Sequence, residues 1–243
     1  MQTPLSAPPK PIAGIWRPEL TRLPALHRPQ RLFRAFVRLL AVALVRALTQ
    51  CSLRGLEYLP KAGPALIAMN HLGDADTAIM LAALPVAPEA LGKIELLTEY
   101  PVLWKLMDCY GTIWLHRGRV DRRALACAVQ ALADGRVVAI APEGRYSLAR
   151  GLEKGGYGAA YIALRARVGI IPVALTGTDN RSVYASLRRL RRARVSLTVG
   201  KPLTIAGDYG PQSLRRATQQ IMEALADLLP PEQRGAYARA AAE

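Results

Sequence analysis

From residue 52 onward the chain alternates two kinds of apolar pattern. Short, mainly apolar runs at 65–69, 112–115, 137–141, 170–175 and 195–199 have the length of buried strands, and 53–56 and 94–98 read as two more. Between them, 74–84, 101–107, 156–167 and 213–229 read as helices. A further helix places Ala124, Leu125, Ala128, Val129 and Leu132 at helical spacing, with Asp121 as its N-cap and Gly135 as its stop. Residues 60–64, with a proline at each end and a glycine at 63, form a turn. No internal repeat is visible. Alternating strands and helices predict an α/β fold: a layered, mostly parallel or mixed central sheet flanked by helices.

The N-terminal part reads differently. Residues 1–30 hold seven of the 18 prolines, and proline removes a backbone donor and fixes φ. This arm is expected to be irregular and exposed. Residues 31–51 follow as an amphipathic, arginine-rich helix without an acid. At 100° per residue, Arg31, Arg34, Arg38 and Arg46 fall within an arc of about 120°. Leu32, Phe33, Phe36, Val37, Leu40, Ala43, Leu44 and Leu48 fill most of the rest. Two readings stand: a helix lying at the headgroup boundary of an anionic bilayer, or one packed on the domain with solvated arginines. Residues 52–243 form the main domain.

Composition narrows the class. Half of the 243 residues are apolar and 21% are charged, so the chain can bury a core. The net charge of +15 calls for phosphate-bearing partners. It is unevenly spread: +7 over residues 1–60, −1 over 61–120, +3 over 121–180 and +6 over 181–243. Three unclustered cysteines and three histidines argue against a disulfide framework and against a metal site, and fit a reduced, cytosolic setting. The first ten residues contain no apolar run of signal-peptide type. No stretch approaches the roughly 18 apolar residues of a spanning helix.

Candidate chemistry gathers at predicted strand ends, where α/β sheets place their sites. His71 follows the run 65–69, and Asp76 lies five residues on. A carboxylate on one imidazole nitrogen fixes the tautomer while the other nitrogen takes a proton from a hydroxyl. Arg117 stands between a strand and a helix, a good position for a phosphate. Glu143 and Gly144 occupy the turn after 137–141. Ile171, Pro172 and Val173 lie in the next strand. His116, beside Arg117, is expected to be structural or on the surface. No nucleophile elbow of the GxSxG kind accompanies Ser147.

The order NHxxxxD, GxxxxxR, PEG and IPV resembles the glycerolipid acyltransferase family, in particular its bacterial 1-acylglycerol-3-phosphate acyltransferase type, over about three-quarters of the chain. The resemblance implies an enzyme that moves a fatty acyl chain from acyl-CoA or acyl carrier protein to the free hydroxyl of a lysophospholipid, giving phosphatidic acid. His71 would be the base and Asp76 its partner, with no metal or other cofactor. Arg117 would hold the acceptor phosphate, and Glu143 and Gly144 would bind the acceptor or order the site. Pro172 would touch the donor or be structural. The third motif departs from the usual EGTRS: Arg145 stands in place of Thr and Tyr146 in place of Arg. Arg145 would take over the phosphate role, aided by Lys154. Gly73 replaces a common Ser. Gly177, Thr178 and Asp179 resemble a family turn.

The acidic surface expected as partner is an anionic membrane, on whose cytoplasmic side the enzyme would sit. The acid-free run 181–194, with Arg181, Arg188, Arg189, Arg191, Arg192 and Arg194, is either a grip for headgroups or donor phosphates or a solvated loop. Of the scattered tryptophans only Trp16 suits an interfacial anchor. Nucleic acid is disfavoured, because the basic clusters lack interleaved aromatics or a reading helix. Two alternatives are a different lysolipid acceptor, motivated by the altered third motif, and a non-enzymatic basic binding module.

Overall fold

The segment 65–69 is a strand, β2 (Ala65–Met69), in a computed structural model that describes residues 10, 12–118, 120–147 and 151–238. All five of its residues are buried. Leu66 and Ala68 join one apolar cluster; Ala65, Ile67 and Met69 join another on the opposite side. A strand of period two that is apolar on both faces must be covered twice, and the fold does this with two helical layers.

The other strands are β1 (Thr49–Arg54), β3 (Glu89–Lys93), β4 (Ile113–Leu115), β5 (Val137–Ile140), β6 (Ile170–Thr176) and β7 (Ala193–Val199). They form one sheet of order β1-β7-β6-β2-β5-β3-β4. Strands β6, β2, β5, β3 and β4 are parallel, so their C-terminal ends share one edge; β7 and β1 run the other way. The helices are α1 (Arg28–Leu48), α2 (Ala75–Ala83), α3 (Leu96–Glu99), α4 (Pro101–Tyr110), α5 (Arg122–Ala133), α6 (Gly158–Ala166), α7 (Asn180–Arg188) and α8 (Pro211–Leu228). Side chains of α5, α6 and α8 cover the Leu66 face, while α2 and α7 cover the Ile67 face. Asp121 caps α5 by accepting from the Ala124 N–H at 3.1 Å, as the sequence predicts.

Three expectations need correction. The strand expected at 94–98 is displaced: β3 lies at Glu89–Lys93, and Leu96–Glu99 is a helical turn. Its signal was hidden by the fully buried Glu89 and by Gly92, where a Cβ would come within 2.6 Å of the Thr112 side chain. The strand expected at 53–56 starts earlier, as β1. The basic run 181–194 is no loop: Asp179 accepts from the Ser182 N–H and caps α7, and β7 begins at Ala193.

The arm is irregular but docked, as far as it is described; residues 1–9 and 11 of it lie outside the described residues. The Ala13 N–H donates to the Arg117 carbonyl at 2.9 Å, and Arg136 donates to the Pro24 carbonyl at 2.7 Å.

Helix α1 packs against α2 and α4 with an unexpected face. Arg34 is only 5% exposed. It forms a bidentate pair with Glu89, at 2.8 and 2.6 Å, and donates to the Tyr110 carbonyl at 2.7 Å. Arg38 donates to the Leu84 carbonyl at 3.1 Å. Part of the arginine strip therefore turns inward, and Leu32, Phe36, Leu39, Leu40, Leu44 and Leu48 are left exposed. The buried carboxylate of Glu89 explains the inversion, since an unpaired charge there would be costly. Among the described residues no helix is long and apolar enough to cross a membrane.

Candidate active site

Asn70 directly follows β2 and extends the sheet with its side chain. Its Oδ1 accepts from the Leu175 N–H at 2.7 Å, and its Nδ2 donates to the Leu175 carbonyl at 2.9 Å. This fixes the backbone just before His71. The chain then turns into α2, whose first turn carries Asp76, fully buried. One carboxylate oxygen, Asp76 Oδ2, lies 2.7 Å from His71 Nδ1 and accepts from the N–H groups of Leu72, at 2.7 Å, and Gly73, at 3.0 Å. An oxygen that already collects two backbone donors orients the ring with Nδ1–H toward it, leaving the Nε2 lone pair for a substrate. The His71 side chain is 26% exposed, so it lies at the surface while its partner does not.

The third motif is tied to the backbone of His71. Glu143 is fully buried, and its Oε1 accepts from the His71 N–H at 3.3 Å. Its Oε2 accepts from the Ser147 hydroxyl, at 2.7 Å, and from the Glu153 N–H, at 2.9 Å. The Ser147 N–H donates to the His71 carbonyl at 2.7 Å. Burial raises the Glu143 carboxyl above its ordinary value, against the pull of those three donors. Gly144 sits beside it in the turn at φ 71°, a left-handed conformation that glycine adopts without strain.

Tyr146 stands against His71, with ring centroids 4.3 Å apart and planes 80° to each other. Burial, then the bond to Asp74, pushes its phenol well above the ordinary range, so it is a donor at every pH of interest. Arg145 is held by Glu153, with Nε 2.7 Å from Oε2. Lys154 is exposed, and its carbonyl accepts from Lys10 Nζ at 2.9 Å. Burial lowers the Lys10 ammonium, partly offset by Glu153, so this residue of the arm belongs to the same charged cluster.

Arg117 follows β4 on the same sheet edge. The strand order places β5 and β3 between it and His71, about 14 Å at the usual strand spacing. Its Nε and Nη2 donate to Glu95 Oε1 at 2.9 and 2.7 Å. Glu95 went unnoticed in the sequence because it falls in the run 94–98 read as strand. His71, Asp76, Glu143, Gly144 and Arg145 thus form one cluster, Lys154 borders it, and Arg117 lies along the edge. Pro172 is buried in β6, and its carbonyl accepts from the Gly200 N–H at 2.8 Å, one residue beyond the Val173–Val199 pair of the β6–β7 ladder.

His116 repeats the geometry of His71 in a different setting. Its Nδ1 lies 2.7 Å from Asp121 Oδ2, and Asp121 also accepts from the His116 N–H at 3.0 Å. Its Nε2, however, accepts from the Arg17 N–H at 3.0 Å, its ring lies 4.5 Å from that of Trp16, and it is 1% exposed. The role is structural, within the core rather than on the surface, and it engages Trp16 as well. Among the described residues no group of three or more His, Cys, Asp or Glu side chains is placed to hold a metal ion.

Comparison with known proteins bears on the family and the fold. A family model described as Acyltransferase matches residues 50–176, just over half of the chain, and that stretch contains His71, Asp76, Arg117 and Glu143. Among solved structures the chain is similar to the 1-acyl-sn-glycerophosphate (LPA) acyltransferase, PlsC, from Thermotoga maritima. The two are 21% identical, the match covers 84% of this chain and 83% of that one, and the TM-score is 0.60. At that identity the likeness speaks for the fold.

Proposed function

The chain belongs to the acyltransferase family, and we propose that it transfers a fatty acyl chain from a thioester, acyl-CoA or acyl carrier protein, to the free hydroxyl of 1-acylglycerol 3-phosphate. The observation that carries this reading is the His71–Asp76 contact, 2.7 Å between Nδ1 and Oδ2, with the other ring nitrogen turned to the surface.

In this mechanism His71 Nε2 takes the hydroxyl proton as the acceptor oxygen attacks the thioester carbonyl. The resulting imidazolium is stabilised by Asp76. The tetrahedral oxyanion collapses, the C–S bond breaks, and the thiolate leaves with the proton returned by His71. The new ester is phosphatidic acid, and no acyl-enzyme is formed. Arg117, Arg145 and Lys154 are the cations proposed for the acceptor phosphate, with Arg117 exchanging Glu95 for the ligand. Glu143, fully engaged by protein donors, orders the site.

The outward apolar face of α1 supports a peripheral position at a membrane surface, which we propose to be the cytoplasmic one. Val102, Leu103 and Leu106 of the neighbouring α4 extend that exposed apolar surface. A cleft of about 270 Å³ between α1, β1 and α2, lined by Val42, Val45, Leu53 and Ile79 with Arg46 and Arg192 among its polar members, suits an acyl tail.

A second reading changes only the acceptor. Tyr146, rather than an arginine, faces His71. This observation favours testing other lysolipids. Thiol release from acyl-CoA and from acyl carrier protein, measured over a panel of lysolipids, tests both readings. Transfer to 1-acylglycerol 3-phosphate is expected; transfer only to a different lysolipid selects the second reading. A purely binding role is set aside by family membership.

A further inference from the structure

Asp74 occupies the N-cap position of α2, yet its carboxylate makes no cap bond to the helix. It is diverted outward. Its Oδ1 accepts from the Tyr146 hydroxyl at 2.7 Å, and its Oδ2 accepts from Tyr184 of α7 at 2.9 Å and from Asn180 Nδ2 at 3.0 Å. Asn180 returns the contact, its Oδ1 accepting from the Asp74 N–H at 2.8 Å. The room for this exchange comes from Gly73: a Cβ there would lie 2.4 Å from Asn180 Oδ1 and 2.6 Å from the Thr178 carbonyl. Two of the three departures from the family pattern, Gly73 and Tyr146, are thus parts of one arrangement.

That arrangement ends on the base. The bond to Asp76 holds the His71 ring at one nitrogen and leaves rotation of the ring limited at a single point. The perpendicular Tyr146 ring, 4.3 Å away, supplies the second point, and its own position is fixed by the hydroxyl on Asp74. A residue of good capping type thus forgoes its cap bond and ties the start of α2 to the Tyr146 hydroxyl instead.

We propose that Tyr146, anchored by Asp74 and through it by Asn180 and Tyr184 of α7, is a positioning residue that fixes the imidazole of His71 in the orientation for proton transfer. The proposal rests on the reading of His71 as the base. Proton transfer requires hydrogen-bond reach and alignment, and loosening a base by a fraction of an ångström costs rate without changing how the acceptor binds.

The test compares wild type, Tyr146→Phe and Tyr146→Ala by kinetics and by ¹H–¹⁵N spectra of the histidine rings, of which the chain has three. Tyr146→Ala is expected to lower kcat by about 10- to 100-fold at an acceptor KM within about threefold, and to mix the His71 tautomers. Tyr146→Phe, which keeps the ring but loses its anchor, is expected to recover to within about tenfold of wild type. His116, held by Asp121 and Arg17, reports whether the fold survives and should keep its signals. Wild-type kcat with an unchanged His71 tautomer in Tyr146→Ala overturns the proposal, and so does an effect confined to KM. If the wild type transfers no acyl group to any acceptor, the function proposed above fails. The tautomer of His71 in Tyr146→Ala then decides the positioning role alone: mixing supports it, and an unchanged signal overturns it.

Discussion

His71 and His116 each face an aspartate five residues downstream across 2.7 Å, but only His71 has its second ring nitrogen turned away from the protein backbone. The same short segment thus leaves a surface imidazole at one strand end and builds a core fastener at another. What separates them is the arm: Arg17 donates to His116 and Trp16 covers its ring.

His116→Ala should therefore act on stability. It leaves the Arg17 N–H without its acceptor and removes a donor from Asp121 in a buried setting. The expected cost is about 1–3 kcal/mol, read as a lower urea midpoint. At temperatures where the variant is folded, its kcat should stay within a few-fold of wild type.

Asp76→Asn tests the orienting carboxylate. The amide keeps the shape, but its NH₂ group can face Nδ1 and favour the wrong tautomer. Loss of about 10²- to 10⁴-fold in kcat is expected, with a lowered thermal midpoint, because an NH₂ group in that place leaves the Leu72 and Gly73 N–H groups without their acceptor. An activity within tenfold of wild type would mean that tautomer control is not what Asp76 supplies.

Glu143 and Asp121 should shape acid stability in opposite directions. Burial raises the Glu143 carboxyl in the folded protein. The folded state then binds its proton more tightly, so this contribution to stability grows as pH falls through the raised value toward the ordinary 4.5. Burial also opposes ionisation of Asp121, but hydrogen bonds from His116 and from the Ala124 N–H outweigh it and lower the carboxyl below 3.8. Its contribution is complete above 3.8 and disappears as pH falls through the lowered folded value. In urea titrations, the stability gap between wild type and Glu143→Ala should widen on going from neutral pH toward 4.5. The gap to Asp121→Ala should narrow only below 3.8.

Helix α1 offers a contrast between its two faces. Phe36→Glu with Leu40→Glu should weaken binding to vesicles of anionic phospholipid in a sedimentation assay and leave the thermal midpoint nearly unchanged, since both side chains are exposed. Arg34→Ala should do the reverse. It removes the bidentate partner of the buried Glu89, with an expected cost of about 3–5 kcal/mol.

The dyad was legible because it is local: a strand run, a turn and five residues of spacing define it. The sheet was legible for the same reason, through β2, β5, β6 and β7, whose apolar runs have no competing signal. What escaped depends on contacts distant in sequence. The bond from the His71 N–H to Glu143 spans 72 residues, and no local pattern announces it. Glu89 and Gly92 disguised β3, because a charged residue in a buried strand makes sense only once Arg34 is known to meet it. The acid-free composition of 181–194 concealed α7, whose helical start is set by Asp179 just outside that run. The direction of the Arg34 and Arg38 side chains was invisible as well, because helical spacing defines a strip but not the side on which the protein lies.

The central claim is that His71 takes the acceptor proton. It is tested most directly by the initial rate of thiol release from acyl-CoA in the presence of 1-acylglycerol 3-phosphate, compared between wild type and His71→Ala. The account predicts product ester from wild type and a loss of about 10³-fold or more in the variant, whose thermal midpoint stays close to wild type. A folded His71→Ala enzyme that retains acyl transfer within tenfold of wild type would contradict it.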